Sequence, residues 1–127
     1  MVNEPKHPYS DDVQRLIGDK SGTLLQARLC LSLGLRKESE KFFDFAANKE
    51  EQIANLLEAS GNFEDAVINR ISAASCYSMA GKYHQARDLF QFILHRYKKY
   101  MTEKRLNEVI QLKRECDEAV KNQKKIP

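Results

Sequence analysis

A chain of 127 residues with a net charge of +3 has the size of a single domain and is long enough to bury a hydrophobic core. Its 42% hydrophobic and 31% charged residues are typical of an ordinary globular protein, and no stretch approaches the roughly 18 uninterrupted apolar residues of a membrane-spanning helix. The start of the chain lacks the basic residues and apolar run of a secretory signal, and the three widely spaced cysteines fit reduced core residues. We therefore expect a cytoplasmic protein.

The two ends of the chain are predicted to be tails on one helical domain at residues 10–122. Residues 1–9 contain two of the three prolines and few apolar groups, so this segment is expected to be disordered. Residues 123–127 are expected to form a short basic C-terminal tail.

The first predicted elements are two short helices. Ser10 or Asp11 offers an N-cap for a helix that should end near Gly18. A turn is expected at residues 19–22, followed by a second helix up to Gly34. The many leucines of this second helix predict that it is buried on more than one side.

Residues 37–60 allow two interpretations, either one continuous helix or two. Asn48 and Glu51 have the spacing of an N-cap and its N3 partner, which favours a break at Asn48. With that break, Glu50 and Glu51 are simply acids in a first helical turn, where the helix dipole stabilises negative charge.

Two short phrases of the same form, at residues 61–66 and 81–86, enclose an almost uncharged helical pattern. Asn62 is a candidate N-cap for this central helix, and its apolar residues on nearly every side predict that it lies between neighbouring helices. After the second phrase, apolar residues at helical spacing predict another helix. Thr102 is then placed to cap the last helix of the chain. We expect an all-α domain of six to seven helices.

This stretch resembles the tetratricopeptide repeat, a pair of antiparallel helices of 34 residues with small and aromatic residues at fixed places. Over residues 67–100 the matching positions are Ala74, Tyr77, Gly81, Tyr83, Ala86 and Phe90. Gly34, Gly61 and Gly81 are separated by 27 and then 20 residues, so the repeats are irregular and one helix must belong to two hairpins. In this respect the chain is more similar to tetratricopeptide-like folds such as the attachment-protein adaptors of vesicle fusion. The resemblance implies a right-handed array of antiparallel helical hairpins, an α-solenoid.

The residue pattern does not indicate catalysis, a cofactor or a metal. His84 and His95 would lie roughly 16 Å apart along one helix, which is too far to share a metal ion, and His7 falls in the predicted tail. The chain contains no Cys-x-x-Cys, no glycine-rich phosphate loop and no serine elbow. We expect a protein that is not an enzyme.

The resemblance implies a protein-binding function, with a peptide or partner helix held in a groove lined by successive first helices. Polar residues on those helices are the candidate contacts of such an adaptor or scaffold. They are Arg28, Asn55, Asn69, Arg70 and Ser78. A short array also has apolar end faces that self-association could cover, which leaves a homo-oligomer open.

The basic segment at residues 96–125 supports an alternative function, the binding of nucleic acid or an anionic membrane surface. Tyr97 and Tyr100 are interleaved with its cations, although core or inter-helix packing is the simpler explanation for both rings. A solvated basic face is the competing interpretation of the cations. The candidate phosphate contacts are Arg96, Lys98, Lys99, Lys104 and Arg105.

Overall fold

The computed structural model describes residues 9–124, and over that range it contains five α-helices, one short 3-10 helix and no strand. Each helix packs mainly on the next one in the chain, with a further small contact between the third and fifth, which is consistent with an array of helical hairpins. Of the predicted tails at residues 1–9 and 123–127, residues 1–8 and 125–127 lie outside the described residues, whereas residues 123 and 124 belong to the last helix. The helices are α1 Asp11–Ser32, α2 Arg36–Ala59, α3 Phe63–Met79, α4 Tyr83–Arg96 and α5 Glu103–Lys124, and the 3-10 helix Lys98–Tyr100 precedes α5.

The first three inter-helix turns each contain a glycine with a left-handed backbone. Gly34, Gly61 and Gly81 have φ values of +77°, +83° and +78°, a conformation that glycine adopts without steric cost. After α3, the backbone N–H of Lys82 donates to the carbonyl of Tyr77 at 2.9 Å, which closes the helix end. The turns predicted at these glycines are confirmed.

The prediction of six to seven helices is wrong because α1 is continuous where two helices were expected. It begins at the predicted N-cap Ser10, whose hydroxyl accepts from the backbone N–H of Val13 at 3.3 Å, and it continues through Gly18 and Gly22. Each interior glycine costs about 1 kcal/mol of helix propensity. Burial of Val13 and Ala27 within the helix pair formed with α2 offsets that cost.

The segment predicted at residues 37–60 likewise forms one helix, α2, which ends at Ala59, so the predicted break at Asn48 is wrong. The side-chain amide of Asn48 donates to the carbonyl of Asp44 at 2.9 Å, one helical turn earlier, instead of capping a new helix. The buried face of α2 continues without interruption from Phe43 across this point to Leu57. A continuous apolar face favours the continuous helix over a local cap.

The prediction of a central helix packed between neighbours is confirmed for α3. It contacts α2 on one side and α4 on the other, and Ala73 and Ala74 have no exposed surface. Tyr77 is its large buried side chain, at 1% exposure. Because small side chains let helices approach closely, α3 sets its own distance from α2 and from α4.

The C-terminal half of α1 is exposed, so the prediction that it is buried on more than one side is wrong. Leu25, Leu29 and Leu33 are 69%, 58% and 65% exposed. Within residues 9–124, α1 packs substantially against α2 alone, which leaves its opposite face in solvent. No helix in this part of the chain is long and apolar enough to cross a membrane.

Candidate functional site

A groove of about 310 Å³ lies between α1 and α3, with α2 beneath it. The residues that α1 contributes are four positions apart and therefore share one helix face, and α3 contributes a similar stripe. The lining residues are Lys20, Leu24 and Arg28 from α1, Phe43 and Glu50 from α2, and Ile71, Ser72, Ser75, Cys76 and Met79 from α3.

The floor of the groove contains a buried carboxylate. Glu50 is only 2% exposed, and its two oxygens accept from Lys20 Nζ at 3.1 Å and from Asn69 Nδ2 at 2.6 Å. A buried charge is tolerated only when it is paired and hydrogen-bonded. The three side chains therefore form a neutral, internally satisfied floor that joins α1, α2 and α3.

The rim of the groove is partly apolar and carries a positive charge. Met79 is 50% exposed, Leu24 is half-buried, and the hydroxyls of Ser72 and Ser75 remain partly accessible. Arg28 is exposed and forms no ion pair with any other residue in the range 9–124. An apolar rim with one free guanidinium can receive an apolar side chain and a carboxylate.

Cys76 lies at the edge of this groove but is not a reactive nucleophile. Burial raises the pKa of its thiol to about 11, and the negative charge of Glu50 adds to the effect while Lys20 and Arg28 oppose it. The thiolate is the nucleophilic form of cysteine, so at neutral pH this side chain behaves as a small apolar group.

We expect one cysteine of the folded chain to react quickly with a thiol reagent such as DTNB at pH 8. Cys30 is half-buried, whereas Cys76 and Cys116 are 7% and 3% exposed, and burial raises the pKa of both of these thiols. At pH 8 a thiol with a pKa near 11 is ionised in only about one molecule in a thousand. The control is the chain in denaturant, where all three thiols should react; two or three fast equivalents in the native chain would contradict the burial described here.

Two of the predicted partner-binding residues lie on the other side of α3, inside a polar cluster. Arg70 is 8% exposed; its Nε donates to Glu58 at 2.9 Å and its Nη2 to Asn55 at 2.8 Å. Its guanidinium also lies 5.7 Å from the ring centroid of Tyr97, whose hydroxyl donates to the same carboxylate of Glu58. This cluster connects α2, α3 and the end of α4.

The electrostatics of this cluster favour an ionised carboxylate. Burial alone would raise the pKa of Glu58, but the hydrogen bonds from Arg70 and Tyr97 and the positive charge of Arg70 outweigh it and hold the pKa below its ordinary value. The guanidinium of Arg70 is therefore paired with a charged partner throughout the neutral pH range.

The other three predicted residues lie in different places. Arg28 is on the rim of the groove, and Asn69 is beneath it in contact with Glu50. Ser78 is directed towards α5, where its hydroxyl is 4.0 Å from the sulfur of Cys116. The structure therefore brings Arg28 and Asn69 to one groove and does not bring Asn55, Arg70 or Ser78 to it.

The predicted phosphate-binding residues are all exposed around the connection between α4 and α5. The aromatic rings beside them are already in contact with other groups. Lys99 lies 5.1 Å from the ring centroid of Tyr100, which also stacks on Phe63 at 5.3 Å, and Arg96 lies 5.8 Å from the ring of Phe92. Stacking of nucleic-acid bases on these rings would require them to leave these partners.

Sequence reasoning missed Glu50 and Lys20 as parts of the groove. Glu50 was interpreted as a first-turn acid because a helix break was expected before it. In the continuous helix it lies three residues before Ile53 and four after Ala46, on the buried face. A carboxylate on an apolar face requires a cation nearby, and that signal was available in the sequence.

Within residues 9–124, no three His, Cys, Asp or Glu side chains are arranged to hold a metal ion. Comparisons of the chain with family models, with curated proteins and with solved structures find no match.

Proposed function

We propose that this protein is a non-enzymatic adaptor that binds a short segment of a partner protein in the groove between α1 and α3. The observation that supports this most directly is Arg28, an exposed guanidinium without an ion-pair partner in residues 9–124, beside apolar side chains and above a neutral floor. Surface grooves that combine apolar walls with a few placed polar groups are common binding sites.

The groove favours a ligand with one apolar side chain next to a carboxylate. The apolar group would enter between Leu24 and Met79, and the carboxylate would accept two hydrogen bonds from the planar guanidinium of Arg28. Ser72 and Ser75 offer hydroxyls to the backbone of the bound segment. Lys20 adds no second contact of this kind, because its ammonium is already paired with Glu50.

The packing of the helices supports the same function. Each helix contacts mainly its chain neighbours, so a face between α1 and α3 is left open where a compact bundle would fill it. Helical-hairpin arrays of the kind that the sequence resembles bind their partners on such open faces. The size of the groove, about 310 Å³, suits one or two side chains of an extended peptide or a partner helix.

A peptide-display selection against the full chain tests this proposal. We expect the selected peptides to share an acidic residue adjacent to a large apolar one. Arg28→Glu should weaken their binding by about tenfold or more, because it reverses the charge that faces the carboxylate. Isothermal titration calorimetry with the synthetic peptides measures the change.

The matched control is Arg114→Glu, which makes the same charge change at an exposed position of α5, outside the groove. This variant should bind the selected peptides with unchanged affinity. Peptides that bind Arg28→Glu as well as the original chain would show that the groove is not the site. Binding that falls steeply with salt and is lost on charge reversal at Lys98 and Lys99 would instead assign function to the basic segment.

A further inference from the structure

The outward stripe of α1 consists of Gly18, Gly22, Leu25 and Leu29, and it is continued by Leu33, the residue that follows the helix. These residues recur every three or four positions and therefore lie on one side of the helix, over a length of about 22 Å. Val13, Lys20 and Ala27 lie on the opposite side, where α1 packs on α2. The stripe thus faces away from every other helix of the described chain.

No contact within residues 9–124 requires these residue types. Gly18 and Gly22 have ordinary helical backbones, and a Cβ added at either would meet no atom within 4 Å. Alanine would therefore fit at both positions and would favour the helix. The leucines of the stripe are among the most exposed apolar side chains of the molecule, and their contact with water is unfavourable.

The two ends of the array differ in how polar their outer surfaces are. The exposed residues of α5, at the far end, include Lys104, Asn107, Glu108 and Gln111, whereas Leu112 beside them is half-buried. A polar outer face is what a terminal helix of a stacked array needs in water. The α1 end lacks such a face, so it is the end that another surface would cover.

We propose that the outward stripe is a homodimer contact, in which the α1 helices of two copies pack antiparallel across a twofold axis midway between residues 23 and 24. This register places Gly22 opposite Leu25 of the partner subunit and Gly18 opposite Leu29 of the partner subunit. Each leucine then fills the gap that a missing side chain leaves on the facing helix. A twofold axis makes every such contact twice. The dimer therefore explains both the missing side chains of Gly18 and Gly22 and the exposure of Leu25 and Leu29 in a single chain.

The charge distribution favours a second copy over a charged partner. The five residues of the stripe are uncharged, and the charged residues between them in the sequence, Asp19, Lys20 and Arg28, are not part of it, so pairing the stripe with itself brings none of its own charges face to face. An acidic or basic segment would find no counter-charge there. The net charge of +3 per chain is also too small to oppose association strongly.

The dimensions of the stripe set the expected strength of the dimer. A contact about 22 Å long and one helix wide is smaller than the roughly 800 Å² per partner of a standard interface. We therefore expect a dimer that dissociates in the micromolar range, with monomer present at low concentration.

Sedimentation equilibrium of the full chain from about 1 µM to about 1 mM tests the proposal. The average mass should rise from that of the 14.7 kDa monomer towards twice that value. Leu29→Lys places an ammonium group against an apolar surface and should raise the dissociation constant by more than tenfold. The matched control is Ile68→Lys, the same type of change at a 50% exposed apolar residue of α3, which should leave association unchanged.

A second variant separates association from folding. Gly22→Leu adds a side chain where the single chain has open space, so the thermal midpoint of the diluted, monomeric variant should rise. The same side chain fills the gap that the partner's Leu25 occupies, so the dimer should weaken by more than tenfold. A purely structural role of Gly22 would change the midpoint alone.

A chain that stays monomeric to about 1 mM would overturn the proposal. So would a Leu29→Lys variant that associates like the control, or a Gly22→Leu variant with unchanged association. The groove is a separate surface, so Leu29→Lys should retain peptide affinity, and Arg28→Glu should retain the dimer; failure of one proposal therefore leaves the other standing.

Discussion

Replacing Arg70 with alanine is expected to lower the free energy of unfolding by about 3 kcal/mol, the cost of leaving one charge of a buried pair without its partner. Arg70 and Glu58 are 9% and 19% exposed in their side chains and 2.9 Å apart, so solvent screens the pair only weakly. The variant would also leave the amide of Asn55 without its donor. Urea denaturation followed by circular dichroism measures the change.

Double substitution distinguishes the pair from general loss of packing. Arg70→Met with Glu58→Gln removes both charges while keeping most of the volume, so it should cost less than Arg70→Ala alone. Arg70→Lys keeps the charge but loses the planar contact with Tyr97, and we expect an intermediate loss. If Arg70→Ala changes the free energy of unfolding by less than about 1 kcal/mol, the pair of Arg70 and Glu58 does not hold α2 and α3 together.

The same cluster predicts a pH dependence of stability. The pKa of Glu58 is lower in the folded chain than its ordinary value, because the hydrogen bonds from Arg70 and Tyr97 outweigh burial, which alone would raise it. The folded state therefore binds fewer protons here than the unfolded state does. The stabilisation is complete above the ordinary pKa and is lost as the pH falls through the lower folded pKa. The variant Glu58→Gln should lack this part of the acid destabilisation.

The helix ends were predictable where a single residue type determines the local backbone. Gly34, Gly61 and Gly81 each mark a turn in the sequence, and each has a left-handed backbone in the structure. The prediction of Thr102 as a cap is also confirmed, since its hydroxyl accepts from the backbone N–H of Arg105 at 3.1 Å. These features depend on residues only a few positions apart, which is the range that sequence patterns report well.

The helix count was not predictable from the same local signals. Gly18 and Gly22 have the composition of a turn, and Asn48 that of a cap, yet the packing of α1 and α2 carries the helix through both. Tertiary packing routinely overrides propensities of about 1 kcal/mol per residue. The local signals at Gly18, Gly22 and Asn48 therefore described real conformational preferences, but the packing of the helices overrode them.

The candidate site was predictable only in part, because its contacts join distant positions. Arg28 was predicted as a partner contact and lies exposed on the rim of the groove, but the pairing of Lys20 with Glu50 beneath it spans thirty residues. Arg70 resembled an exposed groove residue because it interrupts an apolar pattern. Its partner Glu58 lies in a different helix, and no spacing rule within one helix identifies that pair.

Ala74→Leu is expected to destabilise the domain by roughly 1 to 3 kcal/mol, the usual cost of added methylene groups in a well-packed core. Ala74 has no exposed surface and belongs to the core cluster that contains Phe43, Tyr77 and Phe90. Because α3 packs on both α2 and α4, the larger side chain cannot be accommodated by moving α3 away from one neighbour without disturbing the other. Thermal and urea unfolding of the variant measure the loss.

The matched control is Ala59→Leu, the same substitution at the exposed end of α2. A surface change of this kind should stay within about 0.5 kcal/mol of the original stability. An Ala74→Leu variant as stable as this control would show that α3 has room at its centre. The close packing of α3 against its neighbours would then be wrong. The fixed width of the groove between α1 and α3 would be wrong with it.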